Sequence, residues 1–325
     1  MPQLSIVIPF TDDTERFEST LVSVLENRPA SCEIIVTHAG NYSDPYNLAN
    51  EVHFVEIADN TSSQKARGSS TDRLGAHLAA AVERASSPIL HLLGCGVKVN
   101  HGWCDNIAED FDDPCIGSVC PIIKDDKENV LCVGIENTLF YKNRFVGAGK
   151  FAAEIDAEYQ NPIGPHQVAG FYSVEAISQV DCLQDFGETS FGLELALTLE
   201  AIGFETKVNT SAKISADDGF NFDAVSGNDA QSAIWRFAGS LGFIQGFMLA
   251  CGAIVKDLIT TPFSSKSRAS LLGRLSKFVS WHDAVSFRDF ADQAPGPQSN
   301  RISFQDAQKE LPLSGMDYSS ERRAA

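Results

Sequence analysis

The run Leu4-Ser5-Ile6-Val7-Ile8-Pro9-Phe10 sets the architecture of this chain. It is short, rich in β-branched residues and apolar on successive positions, so both of its faces must be covered. That is the signature of a buried parallel strand. From Thr14 the spacing changes: Phe17, Leu21, Val24 and Leu25 recur three and four residues apart, which predicts a helix packed on that strand. Glu33-Ile34-Ile35-Val36 repeats the buried-strand pattern and stops before Gly40. Val52 to Ile57 alternates as a third strand. Leu74 to Arg84 reads as an Ala-rich helix and Ile89 to Leu93 as a fourth strand. Strands alternating with helices at this spacing predict βαβ units and a mostly parallel sheet flanked by helices.

Further along, Asn100 is expected to cap a helix carrying Trp103, Ile107 and Phe111. Ile116 to Ile123, Val130 to Ile135 and Thr138 to Tyr141 read as strands that extend the sheet. A helix is expected from Ser190 to Ile202, stopped by Gly203, with a short strand at Thr206 to Val208. Residues 59–71 are polar and Ser/Thr-rich, a loop. The tail from Ala294, with Pro295, Gly296 and Pro297, reads as mobile.

Charge divides the 325 residues in two. Residues 1–235 carry 14 Lys+Arg and 35 Asp+Glu, net −21, whereas residues 236–325 carry 11 and 8, net +3. The total of −18 argues against a nucleic acid polymer as partner, because phosphate binding needs a basic stripe. The eight cysteines contain no C-x-x-C pair, and they are expected to be reduced and largely within the core. Leu4 to Ile8 is too short, and lacks the basic leader, for a signal peptide, so the N-terminal region is expected in the cytoplasm.

Several segments together resemble family 2 glycosyltransferases. Ser5-Ile6-Val7-Ile8-Pro9-Phe10-Thr11 is similar to their opening strand. Glu33-Ile34-Ile35-Val36-Thr37-His38-Ala39-Gly40-Asn41 is similar to their second strand, which normally ends in acidic residues. Leu93-Gly94-Cys95-Gly96 through Gly102-Trp103 matches the strand that normally ends in D-x-D. Phe186-Gly187-Glu188, followed by Phe191-Gly192-Leu193-Glu194-Leu195 and Gly203, resembles the acceptor-side segment, normally F-D-E and then E-D. The resemblance spans residues 4–215 and implies the GT-A fold: a nucleotide-diphospho-sugar transferase-like domain at 1–225. A helical C-terminal region at 226–290 and a flexible tail at 291–325 follow it.

The implied activity is sugar transfer from a nucleotide sugar to a glycan or lipid acceptor. Such transfer needs a held nucleoside, a neutralised diphosphate and a carboxylate base within hydrogen-bond reach. Here His38 and Ala39 replace the nucleotide-binding acids, Gly94 and Gly96 replace the metal-binding aspartates, and Phe191 and Gly192 replace the Glu-Asp pair. Ser215 stands near where many relatives place a His. No side-chain metal site is expected at Gly94-Cys95-Gly96, and no cofactor is assigned. The residues left to the task are Glu188 and Glu194 as base, and Pro9, Thr11, His38, Gly40 and Arg67 for the nucleotide sugar, with Lys65 beside Arg67. Glu194 alternatively reads as a solvated or helix-capping carboxylate. Asp12-Asp13 reads as a helix-start charge cluster, and Asp125-Asp126 and Asp217-Asp218 as turn and solvent-facing carboxylates. Two functional readings stay open: a divergent transferase, and a catalytically inactive GT-A-fold binding or scaffold protein.

Phe237 to Val255 is uncharged over 19 residues, between Arg236 and Lys256. It reads in three ways: a helix packed on the domain, an interfacial element or a membrane span. Lys266, Arg268, Arg274 and Lys277 then alternate with Leu271, Leu272, Leu275, Phe278 and Val279 at helical spacing, a basic amphipathic pattern suited to an anionic surface. Residues 236–281 are therefore the expected contact with a membrane surface or protein partner, with the acidic domain peripheral to the inner membrane face.

Overall fold

The computed structural model describes residues 2–11, 13–40, 42–57, 74–156, 160–217, 220, 222, 224–260, 265–278 and 281–297. The N-terminal strands and helices run β1 (Leu4–Pro9), α1 (Thr14–Asn27), β2 (Cys32–His38), β3 (His53–Glu56), α2 (Leu74–Arg84), β4 (Ile89–Leu93) and β5 (Val97–Val99). A one-turn helix α3 (Ile107–Asp110) leads to β6 (Ile116–Lys124), β7 (Val130–Cys132), β8 (Gly134–Asn137), β9 (Asn143–Val146) and β10 (Ala169–Ser173). The chain continues through α4 (Val174–Ser178), α5 (Phe191–Ala201) and β11 (Glu205–Ala216). The C-terminal helices are α6 (Gly227–Ala233), a π-helical turn (Ile234–Ala238), α7 (Gly239–Leu241), α8 (Phe243–Thr260), α9 (Ser265–Ser276) and α10 (Trp281–Gln293).

The central sheet has the order β3-β2-β1-β4-β10-β6-β11-β5, with β7 added to β6, and β8 and β9 form a separate hairpin. β1 is parallel to β2 and β4, and β10 enters antiparallel between β4 and β6. In the β1–β2 register Ile6 lies beside Ile34 and Val7 beside Ile35. The even positions face α1, where Ile6, Ile8, Ile34 and Val36 pack with Phe17, Leu21 and Val24. The odd positions of β1 and β2, with the even positions of β4, face α2 and α5, where Val7, Ile35, Leu90 and Leu92 pack with Leu78, Leu195 and Leu199. Full burial of each such side chain contributes about 1.5–3 kcal/mol, which is why these strands carry no alternation of polar residues.

Five sequence expectations are corrected. Asn100 does not cap a helix: residues 100–106 form turns, with Trp103 N–H donating to the Asn100 carbonyl at 3.2 Å, and only Ile107–Asp110 is helical. Thr138 to Tyr141 is the turn of the β8–β9 hairpin rather than a strand, closed by Thr138 N–H to Lys142 O at 3.1 Å, with Tyr141 at φ +54°. The strand after α5 is 12 residues long, its pairing with β6 shifting register between Asn209 and Lys213. The uncharged run from Phe237 is no single helix, because a π turn and an extended Gly242 (φ 166°) divide it before α8. Gly296 exchanges two hydrogen bonds with the Gln179 side chain, 3.2 and 3.0 Å, so the start of the tail is tied to the body at Gly296. All eight cysteines stand as thiols.

Candidate functional site

The strand order reverses at β1: β2 and β3 lie on one side and β4 on the other. In an open α/β sheet this reversal leaves a crevice at the C-terminal ends of the parallel strands, where the following loops diverge. Pro9, Phe10 and Thr11 follow β1, His38 ends β2, and Gly94, Cys95 and Gly96 follow β4. The crevice floor is knitted together. Phe10 N–H donates to Thr37 O at 2.8 Å, and the Cys95 thiol donates to Pro9 O at 3.3 Å. Phe10 is buried against Phe17 and Tyr42, with ring centroids 5.0 and 4.9 Å away. Thr11 and Gly40 are exposed and His38 is half-buried. His38 Nδ1 accepts from Gly40 N–H at 3.1 Å, which leaves the ring proton of the neutral form on Nε2. Gly40 has φ +80°, so the turn that aims His38 favours glycine. The crevice thus gathers Pro9, Thr11, His38 and Gly40; Lys65 and Arg67 lie outside the described residues.

At the position where metal-binding aspartates are expected, the backbone itself is sealed. Gly94 N–H donates to Val168 O at 2.7 Å, and a Cβ on Gly94 would sit 3.4 Å from the Val168 backbone. Gly96 has φ +90°, and its N–H donates to Thr20 Oγ1 at 3.0 Å. A Cβ there would lie 3.3 Å from the Phe220 ring and 3.4 Å from Arg16 Cδ. Phe220 belongs to an aromatic cluster in which Phe222 lies 5.3 Å from Phe220, 4.9 Å from Phe145 and 4.3 Å from His166. Burial without a charged partner pushes His166 down to about 3. Hard divalent cations need several oxygen ligands, and Gly94-Cys95-Gly96 supplies no side-chain oxygen, so these residues do not fit such an ion. Among the described residues no group of three or more His, Cys, Asp and Glu side chains stands together. Asp217 pairs with Lys98 at 2.6 Å. Asp125 caps its own turn, accepting from Asn129 Nδ2, Asn129 N–H and Lys127 N–H at 2.8 Å each; the Asn129 side-chain bond foremost holds its carboxyl below the usual range. Asp13 is the N-cap of α1, accepting from Arg16 N–H at 3.1 Å. Ser215 lies on β11 opposite Lys98 of β5.

On the acceptor side, α5 starts where a base is expected. Gly192 backs directly onto the chain at Gln167, where a Cβ would lie 2.9 Å from the backbone nitrogen, so the position admits no side chain without displacement. Phe191 is buried against Phe186. Glu188 is exposed. Glu194 is 0% exposed rather than solvated. Its carboxylate accepts from Ser190 Oγ at 2.5 Å and Gly187 N–H at 3.0 Å, and forms an ion pair with Arg236. Burial raises the Glu194 carboxyl above its ordinary range, while Arg236 pulls the other way. Arg236 is itself buried: it donates to Asp185 O at 3.1 Å and lies over the Phe186 ring at 5.2 Å. Arg236, on the π turn, is the residue that sequence reasoning missed here. Its one signal was a lone cation at the start of a long uncharged run.

No protein-family model and no curated protein sequence matches this chain. Solved structures do share its fold, among them two glycosyltransferases. The crystal structure of GalNAc-T7 with UDP, GalNAc and Mn2+ superposes with a TM-score of 0.57 at 13% identity, covering 95% of this chain and 57% of that one. The crystal structure of S. aureus TarS gives a TM-score of 0.50 at 13% identity, covering 89% of this chain and 48% of TarS. The fold is therefore GT-A glycosyltransferase-like: a mixed α/β sheet flanked by helices, with helices added at its C-terminus. The chain spans roughly half the length of these two neighbours.

Proposed function

We propose that this chain is a GT-A-fold protein that binds a nucleotide sugar, or the glycan made from one, and has lost metal-dependent transfer. The observation that carries this reading is Gly96: left-handed backbone, no side chain, and Phe220 and Arg16 against the place where a carboxylate would emerge. GalNAc-T7 was solved with UDP and Mn2+. On this reading the nucleotide half of such a site is kept, while Gly94-Cys95-Gly96 offers no side-chain oxygen to a cation. Pro9, Thr11, His38 and Gly40, with Arg67, are the proposed contacts for the nucleotide sugar. His38 Nε2–H is the donor available to a base or ribose oxygen, because Nδ1 is already occupied by Gly40 N–H. No nucleic acid polymer is a partner on this reading. The acidic domain sits on the cytoplasmic side, peripheral to a membrane reached through residues 236–281.

A second reading, transfer without metal to a glycan or lipid acceptor, is favoured by one observation: Glu188 is an exposed carboxylate at the start of the acceptor segment. Glu194 is the weaker base, because both its oxygens are engaged by Arg236, Ser190 and Gly187. The test is release of UDP or GDP from UDP- and GDP-sugars, with and without acceptor glycans, in manganese or in EDTA. The binding reading expects no release above the no-protein rate in either. Release in EDTA that disappears with Glu188→Gln establishes the second reading, and release that requires manganese overturns both.

A further inference from the structure

The C-terminal helices are packed inside out. α8 buries Gly246, Ala250, Ala253 and Asp257, spaced four, three and four residues apart, so one stripe faces the body along most of the helix. Gly246 approaches Gly239 so closely that a Cβ would lie 2.7 Å from the Gly239 Cα. The opposite stripe carries the large side chains: Ile244 is 73% exposed, Met248 68% and Ile259 65%, with Val255 and Leu258 alongside. α9 repeats the inversion. It buries Ser270 and Arg274, presses Gly273 onto the Asn228 backbone at 2.6 Å from a built Cβ, and turns Leu272, 69% exposed, outward. The charges of the pair meet inside: Asp257 accepts from Arg274 Nε at 2.9 Å and Ser270 Oγ at 2.6 Å. Leu139, exposed on the β8–β9 turn, joins Gly242, Phe243, Ile244 and Met248 in an open groove of about 800 Å3.

Small residues and paired charges inward, large apolar residues outward, is the arrangement helices adopt where the surroundings are hydrocarbon. The charge on this face selects among occupants. Residues 236–278 hold six basic residues and one acidic one, and that acid, Asp257, is buried in its ion pair. The exposed side chains Lys256 and Lys266 beside the apolar stripe are cations, on a chain whose first 235 residues are net −21. A second copy docking through the same face would bring two positive rims together, which disfavours it. An anionic lipid surface meets both features at once. The inward stripe also fixes the orientation. At 18 residues α8 is about 27 Å long. Ala250 and Ala253 pack with Ile234 and Trp235, so crossing a bilayer would strip α8 from the body.

We propose that α8 and α9 form an interfacial membrane-docking face for anionic lipid, with α8 lying in the plane of the headgroups and not spanning the bilayer. The proposal makes specific the peripheral placement given under Proposed function and stands independently of the nucleotide-sugar reading. It is tested by co-flotation of the purified full chain with vesicles of phosphatidylcholine alone or phosphatidylcholine mixed with phosphatidylglycerol. The expected result is flotation with the phosphatidylglycerol vesicles, weakened by salt. Binding should fall at least about tenfold in the Ile244→Glu/Met248→Glu/Leu272→Glu variant, whose unfolding midpoint and nucleotide-induced thermal shift stay those of the parent. Three results overturn the proposal: no flotation with either vesicle, flotation indifferent to the three substitutions, or a concentration-dependent dimer that the same substitutions dissolve. Equal flotation with both vesicle types overturns its anionic part.

Discussion

The body and the C-terminal helix pair use the same residue types at opposite addresses. In the body, Ile6, Val7, Ile34, Ile35, Leu90 and Leu92 are inside, and most carboxylates are outside. In α8 and α9, Gly246, Ala250, Ser270 and the Asp257–Arg274 pair are inside, and Ile244, Met248, Leu258 and Leu272 are outside. The body thus turns its apolar side chains inward, and the helix pair turns its large apolar side chains outward. Between them stands the Glu194–Arg236 ion pair, whose acid comes from α5 and whose base comes from the π turn. A carboxylate in the first turn of α5 here ties the body to the turn that leads into the C-terminal helices.

The largest expected effect comes from breaking that link. Arg236→Met leaves Glu194 as an uncompensated buried charge and should cost about 3–5 kcal/mol in urea unfolding. The paired variant Glu194→Leu/Arg236→Met should recover most of the loss. Failure of the pair to recover it would show that the body and the helices are not joined through this contact.

Acid should separate the regions next. Burial holds both His91 and His166 at about 3 in the folded protein, against about 6.5 in the unfolded chain. Below about pH 6.5 the unfolded state takes up the protons and the folded state does not. Stability is therefore full above that pH and declines as pH falls toward about 3, by up to about 1.4 kcal/mol per pH unit for each histidine. The two together should lower unfolding stability by about 2 kcal/mol between pH 7 and pH 5.5. Residues 236–278 contain no histidine, so hydrogen exchange at pH 5.5 should rise in the body more than in α8. Equal loosening would contradict the contrast.

Gly96→Asp should cost about 1–2 kcal/mol, because a non-glycine residue at φ +90° is strained and Phe220 must move. It should create no manganese binding detectable by calorimetry. The smallest effect should be Ile244→Glu, within about 0.5 kcal/mol of the parent in unfolding. Ala250→Glu, on the inward stripe of the same helix, should destabilise by several kcal/mol for want of a partner. A similar cost for both would mean that the outward face of α8 is packed.

What the sequence made legible follows the same division. β1, α2 and β4 are readable nearly to the residue, because a strand buried on both faces leaves an unbroken apolar run and α2 has regular helical spacing. β10 went unread: Ala169 to Ser173 is five residues whose strand character depends on slotting antiparallel between β4 and β6, and no local signal encodes that. The crevice residues Pro9, Thr11, His38 and Gly40 are legible because they sit at strand ends. The cap over Gly96 is not, since Phe220 lies more than a hundred residues further along. Glu194 was legible as a site position but not in its environment, because Arg236 lies 42 residues away across a tertiary contact. The apolar run after Arg236 and the basic helix after it were visible, but their inversion appears only when burial is known.

The central proposal is a GT-A-like crevice that binds a nucleotide sugar without a metal ion at Gly94-Cys95-Gly96. The most direct measurement is a thermal-shift titration of UDP- and GDP-sugars against the purified chain, in manganese and in EDTA. The account predicts a saturable shift with one nucleotide class, equal in both conditions and reduced by His38→Ala. A shift that appears only with manganese contradicts it, and so does no shift with any nucleotide.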